Sequence, residues 1–114
     1  MSYVILTSKD FDVAIKRLYK RHRSMADDYA AFLVSLQENP LQGVELSPGI
    51  RKIRMAITSK GRGKSGGVRV ITANAIVAEH KGRIALLTIY DKADASTVKM
   101  NVIKQMAREL GFEF

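Results

Sequence analysis

Lys60 to Ile71 read K-G-R-G-K-S-G-G-V-R-V-I, and the reading of this stretch decides the fold. Gly63, Lys64 and Ser65 form the Gly-Lys-Ser core of a nucleotide-binding P-loop, which would imply a β-α-β unit. That motif also needs a glycine five residues before Gly63, where this chain has Thr58. It needs a helix after the loop as well, so that N-terminal amides meet the phosphates. Instead Gly66 and Gly67 lead into V-R-V-I, a β-branched run that reads as a strand. The stretch is therefore expected to be a cationic loop joining two antiparallel strands.

Working outward, I-R-K-I-R-M-A-I (Ile50 to Ile57) alternates, with Ile53, Met55 and Ile57 opposite Lys52 and Arg54. That is the period of a strand with one cationic face. Val68 to Ala78 and Ile84 to Tyr90 are two further strands, with a turn expected at His80-Lys81-Gly82. Upstream, Tyr3 to Leu6 is a short strand candidate. Thr7 to Asp10 has the pattern of a capping box with Thr7 at the cap, and Ser24 to Asp27 repeats it. Phe11, Ala14, Ile15, Leu18 and His22 recur at helical spacing, as do Met25, Tyr29, Phe32, Leu33 and Leu36 before Asn39-Pro40. Downstream, Asp94, Ala95 and Ser96 lead into a last helix with Val102, Ile103, Met106 and Leu110 inside and Gly111 past its end. The order predicted is β-α-α-β-β-β-α, an α+β fold in which a small twisted, antiparallel-rich sheet carries an N-terminal helical hairpin and a C-terminal helix. Residues 1–114 are expected to form one domain.

The charge is concentrated. The chain carries 19 Lys and Arg against 11 Asp and Glu, a net +8. Between Leu46 and Ala78 there is no acid, while Arg51, Lys52, Arg54, Lys60, Arg62, Lys64 and Arg69 all fall inside. The rest of the chain carries twelve cations against eleven acids and is nearly neutral. A basic surface kept for solubility needs no such concentration, whereas a face for a polyanion does. Glycines in the loop let backbone approach a ligand, so Lys60, Arg62 and Lys64 can meet successive phosphates. Arg69 interrupts an otherwise apolar strand, and a guanidinium fixed there can hold a phosphate through two hydrogen bonds. The chain has no cysteine, which excludes disulfides and thiolate metal sites. His, Asp and Glu form no group at ligand spacing, so neither metal nor cofactor is expected. No apolar run reaches the roughly 20 residues of a membrane helix. The run Tyr3 to Leu6 is too short for a signal-peptide core, so a cytoplasmic protein is expected.

With these elements in order, the chain resembles the RelE/HigB branch of the RelE/ParE toxin superfamily over almost its whole length. The segments that carry the resemblance are N-P-L-Q-G (Asn39 to Gly43), I-R-K-I-R (Ile50 to Arg54), G-R-G-K-S-G-G-V-R-V-I (Gly61 to Ile71) and L-L-T-I-Y-D-K (Leu86 to Lys92). The resemblance implies the toxin of a toxin–antitoxin pair, an endoribonuclease that cuts messenger RNA on the ribosome and is held inactive by a cognate antitoxin. The implied chemistry is attack of a ribose 2′-hydroxyl on the adjacent phosphate, without a metal. Arg69 matches the arginine of the family's G-x-R strand, implying transition-state stabilisation. Lys52, Arg54 and Lys64 match the basic strand and loop. Lys92 matches a basic position, where packing among cations would lower a lysine's pKa for proton transfer. Tyr90 is a catalytic candidate or an ordinary half-buried strand aromatic. The chain departs from several family members in having no Tyr or His from Ala93 to Phe114. His22 and His80 are expected far from the basic strands. Asp91 is a further candidate, orienting a lysine or hydroxyl. A ParE-like inhibitor of DNA gyrase and a non-catalytic RNA-binding module are the alternatives.

Overall fold

The computed structural model describes residues 2–60, 67–92 and 98–114. Among them the chain forms β1 (Val4–Thr7), α1 (Lys9–Arg21), α2 (Met25–Glu38), β2 (Val44–Ser47), β3 (Ile50–Met55), β4 (Val68–Ala78), β5 (Lys81–Asp91) and α3 (Met100–Glu109), with a short 3-10 turn at Thr58–Lys60. The fold is α+β. The five strands make one mixed sheet in the order β1-β5-β4-β3-β2, in which β1 runs parallel to β5 and the other pairs are antiparallel.

One strand corrects the expected order. V-E-L-S at Val44–Ser47 pairs with β3 as an edge strand, so the order is β-α-α-β-β-β-β-α. Its four residues are exposed or half-buried and a register shift interrupts the pairing, so no apolar run marks it. The signal was the turn Pro48-Gly49, where Gly49 takes φ 81°, a conformation glycine adopts readily.

Both faces of the sheet are covered. The helical hairpin packs Phe11, Ile15, Leu18, Met25, Phe32 and Leu36 onto Ile53, Met55, Val68, Val70, Ile84, Leu86 and Ile89. α3 packs Ile103 and Ala107, with Phe112 beyond it, onto Ile50, Ile71, Ala73, Ala85 and Leu87. Three local expectations shift. Ser8, not Thr7, caps α1, its Oγ accepting from the Phe11 amide at 3.0 Å while donating to the Leu87 carbonyl at 2.5 Å. The β4–β5 turn is Glu79-His80, with Lys81 and Gly82 already in β5. Val102 is 46% exposed, so the buried stripe of α3 runs through Ile103 and Ala107. Gly111 does end that helix, at φ 89°, with its amide on the Arg108 carbonyl and Phe112's on Ala107's. The expected start at Asp94 to Ser96 lies outside the described residues; the described helix begins at Met100. No helix among the described residues is long and apolar enough to cross a membrane.

Candidate functional site

The site is built on the α3-side face of β3, β4 and β5, beyond the apolar patch that α3 covers. Strand alternation puts Ile50, Lys52 and Arg54 on that face, and Arg51, Ile53 and Met55 on the hairpin side. On β4 the same face carries Arg69, Ile71 and Ala73. The registers then place Arg54 directly opposite Arg69, and Arg69 directly opposite Tyr90. Side chains so paired have Cβ atoms about 5 Å apart. Two guanidiniums and a phenol thus form one rung across three strands. Lys52, Ile71 and Thr88 form the neighbouring rung.

Tyr90 reaches this rung through a bulge. Ile71 pairs with Thr88 and Thr72 with Leu86, so Leu87 is an extra residue in β5. Leu86 and Ile89 face the hairpin, Leu87 and Tyr90 face α3. Were Leu87 paired in regular alternation, Tyr90, four residues on from Leu86, would share its face and enter the hairpin core. The bulge re-aims it beside Arg69, a role bulges commonly serve next to functional sites.

Burial differs along the rung. Arg54 is exposed, Tyr90 and Lys52 are half-buried, and Arg69 is only 4% exposed. Arg69 Nη1 donates to the Val68 carbonyl at 3.5 Å, at the weak limit of a hydrogen bond. Burial raises the Tyr90 pKa above its ordinary 10.0, with Arg69 opposing. The hydroxyl is therefore protonated throughout the neutral range and available as a donor. A glycine holds the strand ends together, because a Cβ on Gly67 would collide with the Met55 carbonyl.

Each of the two carboxylates on the described strands has a basic partner. Glu45 pairs with Arg51, 3.4 Å from Nη1. Asp91 pairs with Lys60, 2.8 Å from Nζ. Arg51 is anchored further by the Gln42 and Gly43 carbonyls at 2.9 and 3.0 Å. Neither Lys52 nor Arg54 is paired with a carboxylate among the described residues.

The candidate residues therefore divide. Arg69, Tyr90, Arg54 and Lys52 come together on one face. Lys60 does not join them: it lies on the 3-10 turn and is held by Asp91, whose partner Val68 belongs to the hairpin-side core. Lys92 is exposed just past β5. Arg62 and Lys64 lie outside the described residues. His80 sits at the β4–β5 turn, its amide on the Tyr3 hydroxyl at 2.8 Å, at the far end of β4 from Arg69.

His22 lies near the 3-10 turn. It follows α1 and lies close enough to Lys60, Asp91 and Asp28 to feel their charges, so it is not remote from the basic segment. Beside it is a clamp that holds the 3-10 turn. In that clamp Asp28 accepts from the Thr58 amide at 2.8 Å, the Thr58 hydroxyl at 2.5 Å and the Ser24 hydroxyl at 2.7 Å. Burial opposes ionisation of Asp28, but these hydrogen bonds prevail and hold its carboxyl below the ordinary 3.8. Sequence spacing gave no sign of this clamp, since Asp28 and Thr58 are thirty residues apart. The described residues contain no group of His, Asp and Glu able to hold a metal. No protein-family model matches the chain.

Proposed function

We propose that this protein is a RelE-type toxin, an endoribonuclease that cuts messenger RNA on the ribosome and so inhibits translation in the cytoplasm. The observation that carries the reading is the rung Arg54–Arg69–Tyr90, with Lys52 beside it. Like charges directly opposite destabilise a ladder. Two adjacent guanidiniums with a phenol beside them suit an anion that bridges them and accepts a proton. A phosphodiester undergoing internal transfer is such an anion.

In the proposed reaction the ribose 2′-oxygen loses its proton and bonds to the adjacent phosphorus. The bond from phosphorus to the 5′-oxygen breaks, leaving a 2′,3′-cyclic phosphate and a 5′-hydroxyl. Arg69, fixed by the sheet and largely out of water, stabilises the charge building on the phosphoryl oxygens. Tyr90, protonated at neutral pH, gives its proton to the leaving 5′-oxygen. Lys52 and Arg54 hold the phosphates on either side. Lys92, acting as the free amine, takes the proton from the 2′-hydroxyl, and Lys64 belongs with the cations that position the phosphates. An acidic antitoxin segment laid over this face would silence it by neutralising the same cations.

Primer extension on messenger-programmed ribosomes tests the reading. Arg69→Lys keeps the charge and most of the volume but loses the planar fork. It is expected to slow cleavage on the order of 10²–10³-fold while keeping the thermal midpoint. Full activity in Arg69→Lys and Arg69→Ala would reject the site. DNA breaks without messenger cleavage would favour a gyrase inhibitor, and RNA binding without a cut product a non-catalytic module.

A further inference from the structure

The β2–β3 ladder ends at Val44 and Lys52, so beyond Lys52 the outer side of β3 has no strand beside it. A pocket of about 290 Å³ opens there between β3 and α2. That volume is at the small end for a ligand site and suits one planar heterocycle. Phe32 from the helix and Met55 from the strand give it apolar lining. Two acceptors on its wall are held in place by hydrogen bonds. Gln42 Nε2 donates to Ser35 Oγ at 3.2 Å and to the Asn39 carbonyl at 3.0 Å, which orients the amide and leaves Oε1 as its acceptor. The Asp28 carboxylate takes three hydrogen bonds from Thr58 and Ser24, and a carboxylate has about four acceptor positions. Arg54 lines the same pocket.

We infer that this pocket takes a guanine of the RNA strand that lies across the Arg54–Arg69–Tyr90 rung, with Gln42 Oε1 and the Asp28 carboxylate accepting from its ring N–H and its amino group. The inference rests on the proposed RNA substrate. Arg54 belongs to both the rung and the pocket wall, so a nucleotide whose phosphate it holds can turn its base over the open edge of β3. The same charge offsets the repulsion between Asp28 and that phosphate. Guanine is the one base with two adjacent donors on its pairing edge. Adenine and cytosine set a donor beside an acceptor there, and uracil sets a donor between two acceptors. Each of these would press an acceptor against a fixed acceptor of the wall, and that mismatch rejects it.

Titration of the isotope-labelled protein with GMP, IMP, AMP and UMP, followed by NMR, tests the pocket without the ribosome. IMP keeps the ring N–H of guanine and lacks its amino group. GMP is expected to shift the Gln42 side-chain amide and to bind about fivefold or more tighter than AMP and UMP, with IMP between. Gln42→Ala should bring GMP down toward AMP. Arg54→Ala should weaken all four nucleotides together, because it acts on the phosphate. The ranking in the wild type decides the matter even where a variant fails to fold. Equal affinity for the four nucleotides, no binding of GMP, or GMP shifts confined to residues outside the pocket would each overturn the inference. Ribosomal cleavage is followed in parallel. If GMP is preferred and the wild type cuts nothing, the pocket stands and the nuclease reading fails. If it cuts while the four nucleotides bind alike, the nuclease reading stands and the pocket falls.

Discussion

Arg51 and Arg54 are three residues apart on one strand, and the sheet treats them in opposite ways. Arg51 points to the hairpin side, where Glu45 and the Gln42 and Gly43 carbonyls take its donors. Arg54 points to the other side, is exposed, and meets Arg69 across the ladder. The same contrast separates Lys60, matched by Asp91, from Lys52, which no described carboxylate matches. Cations with acceptors fasten the strands and the 3-10 turn. Lys52 and Arg54, which no described carboxylate matches, leave positive potential on the other face. On the proposed reading, what marks a cation for the ligand is the face it occupies and not its place in the basic run.

The sharpest way to break this contrast is at Tyr90, the uncharged member of the rung. Tyr90→Phe keeps the ring against Leu87 and the α3 core and removes only the hydroxyl. If that hydroxyl is the acid, cleavage falls on the order of 10²–10⁴-fold, with RNA affinity and thermal midpoint nearly unchanged. An undiminished cutting rate would return Tyr90 to the role of a packing aromatic.

Next come the two arginines of β3, whose replacement by Ala should give opposite phenotypes. Arg51→Ala strips a charged donor group from three acceptors and is expected to cost about 2 kcal/mol of stability, read from urea unfolding. Its cleavage rate, measured below the unfolding transition, should hold. Arg54→Ala should leave stability within about 0.5 kcal/mol, as an exposed substitution does, and weaken cleavage about tenfold. If both variants lost stability alone, or both lost cleavage alone, the two sides of β3 would not differ as described.

The face of each cation was legible only where alternation is regular. Ile53 and Met55 opposite Lys52 and Arg54 is a period-2 pattern, and it alone places those two cations on one side. The strand after Gly67 was equally plain, because Val68, Val70 and Ile71 are β-branched. Two devices were not legible. The bulge at Leu87 inserts a residue into L-L-T-I-Y, which reads as an unbroken apolar strand, so the side taken by Tyr90 is set by pairing with β4. The Asp28 clamp joins α2 to a turn thirty residues on, and no local spacing encodes it. β2 was missed because an edge strand with exposed side chains lacks the apolar run that marks a buried one. Lys60 looked like a loop cation because its partner Asp91 lies at the end of another strand.

The smallest expected effect tests the fastened side through pH. His22 Nε2 is buried without a hydrogen-bond partner. Burial lowers its pKa from 6.5, Lys60 and Arg21 lower it further, and Asp91 and Asp28 only partly oppose them. The unfolded chain therefore takes up a proton at a higher pH than the folded one. Stability from this group is whole above 6.5 and declines as pH falls from there through the lower folded pKa. Asp28 titrates separately, below its unfolded 3.8, so its contribution is intact throughout this window. Urea midpoints of the wild type should drift down between about pH 7 and pH 5, and those of His22→Gln should drift less. Parallel curves for the two proteins would mean that His22 is not held neutral by the clamp. The matched side of the sheet would then owe its order to the Asp28 and Asp91 contacts alone.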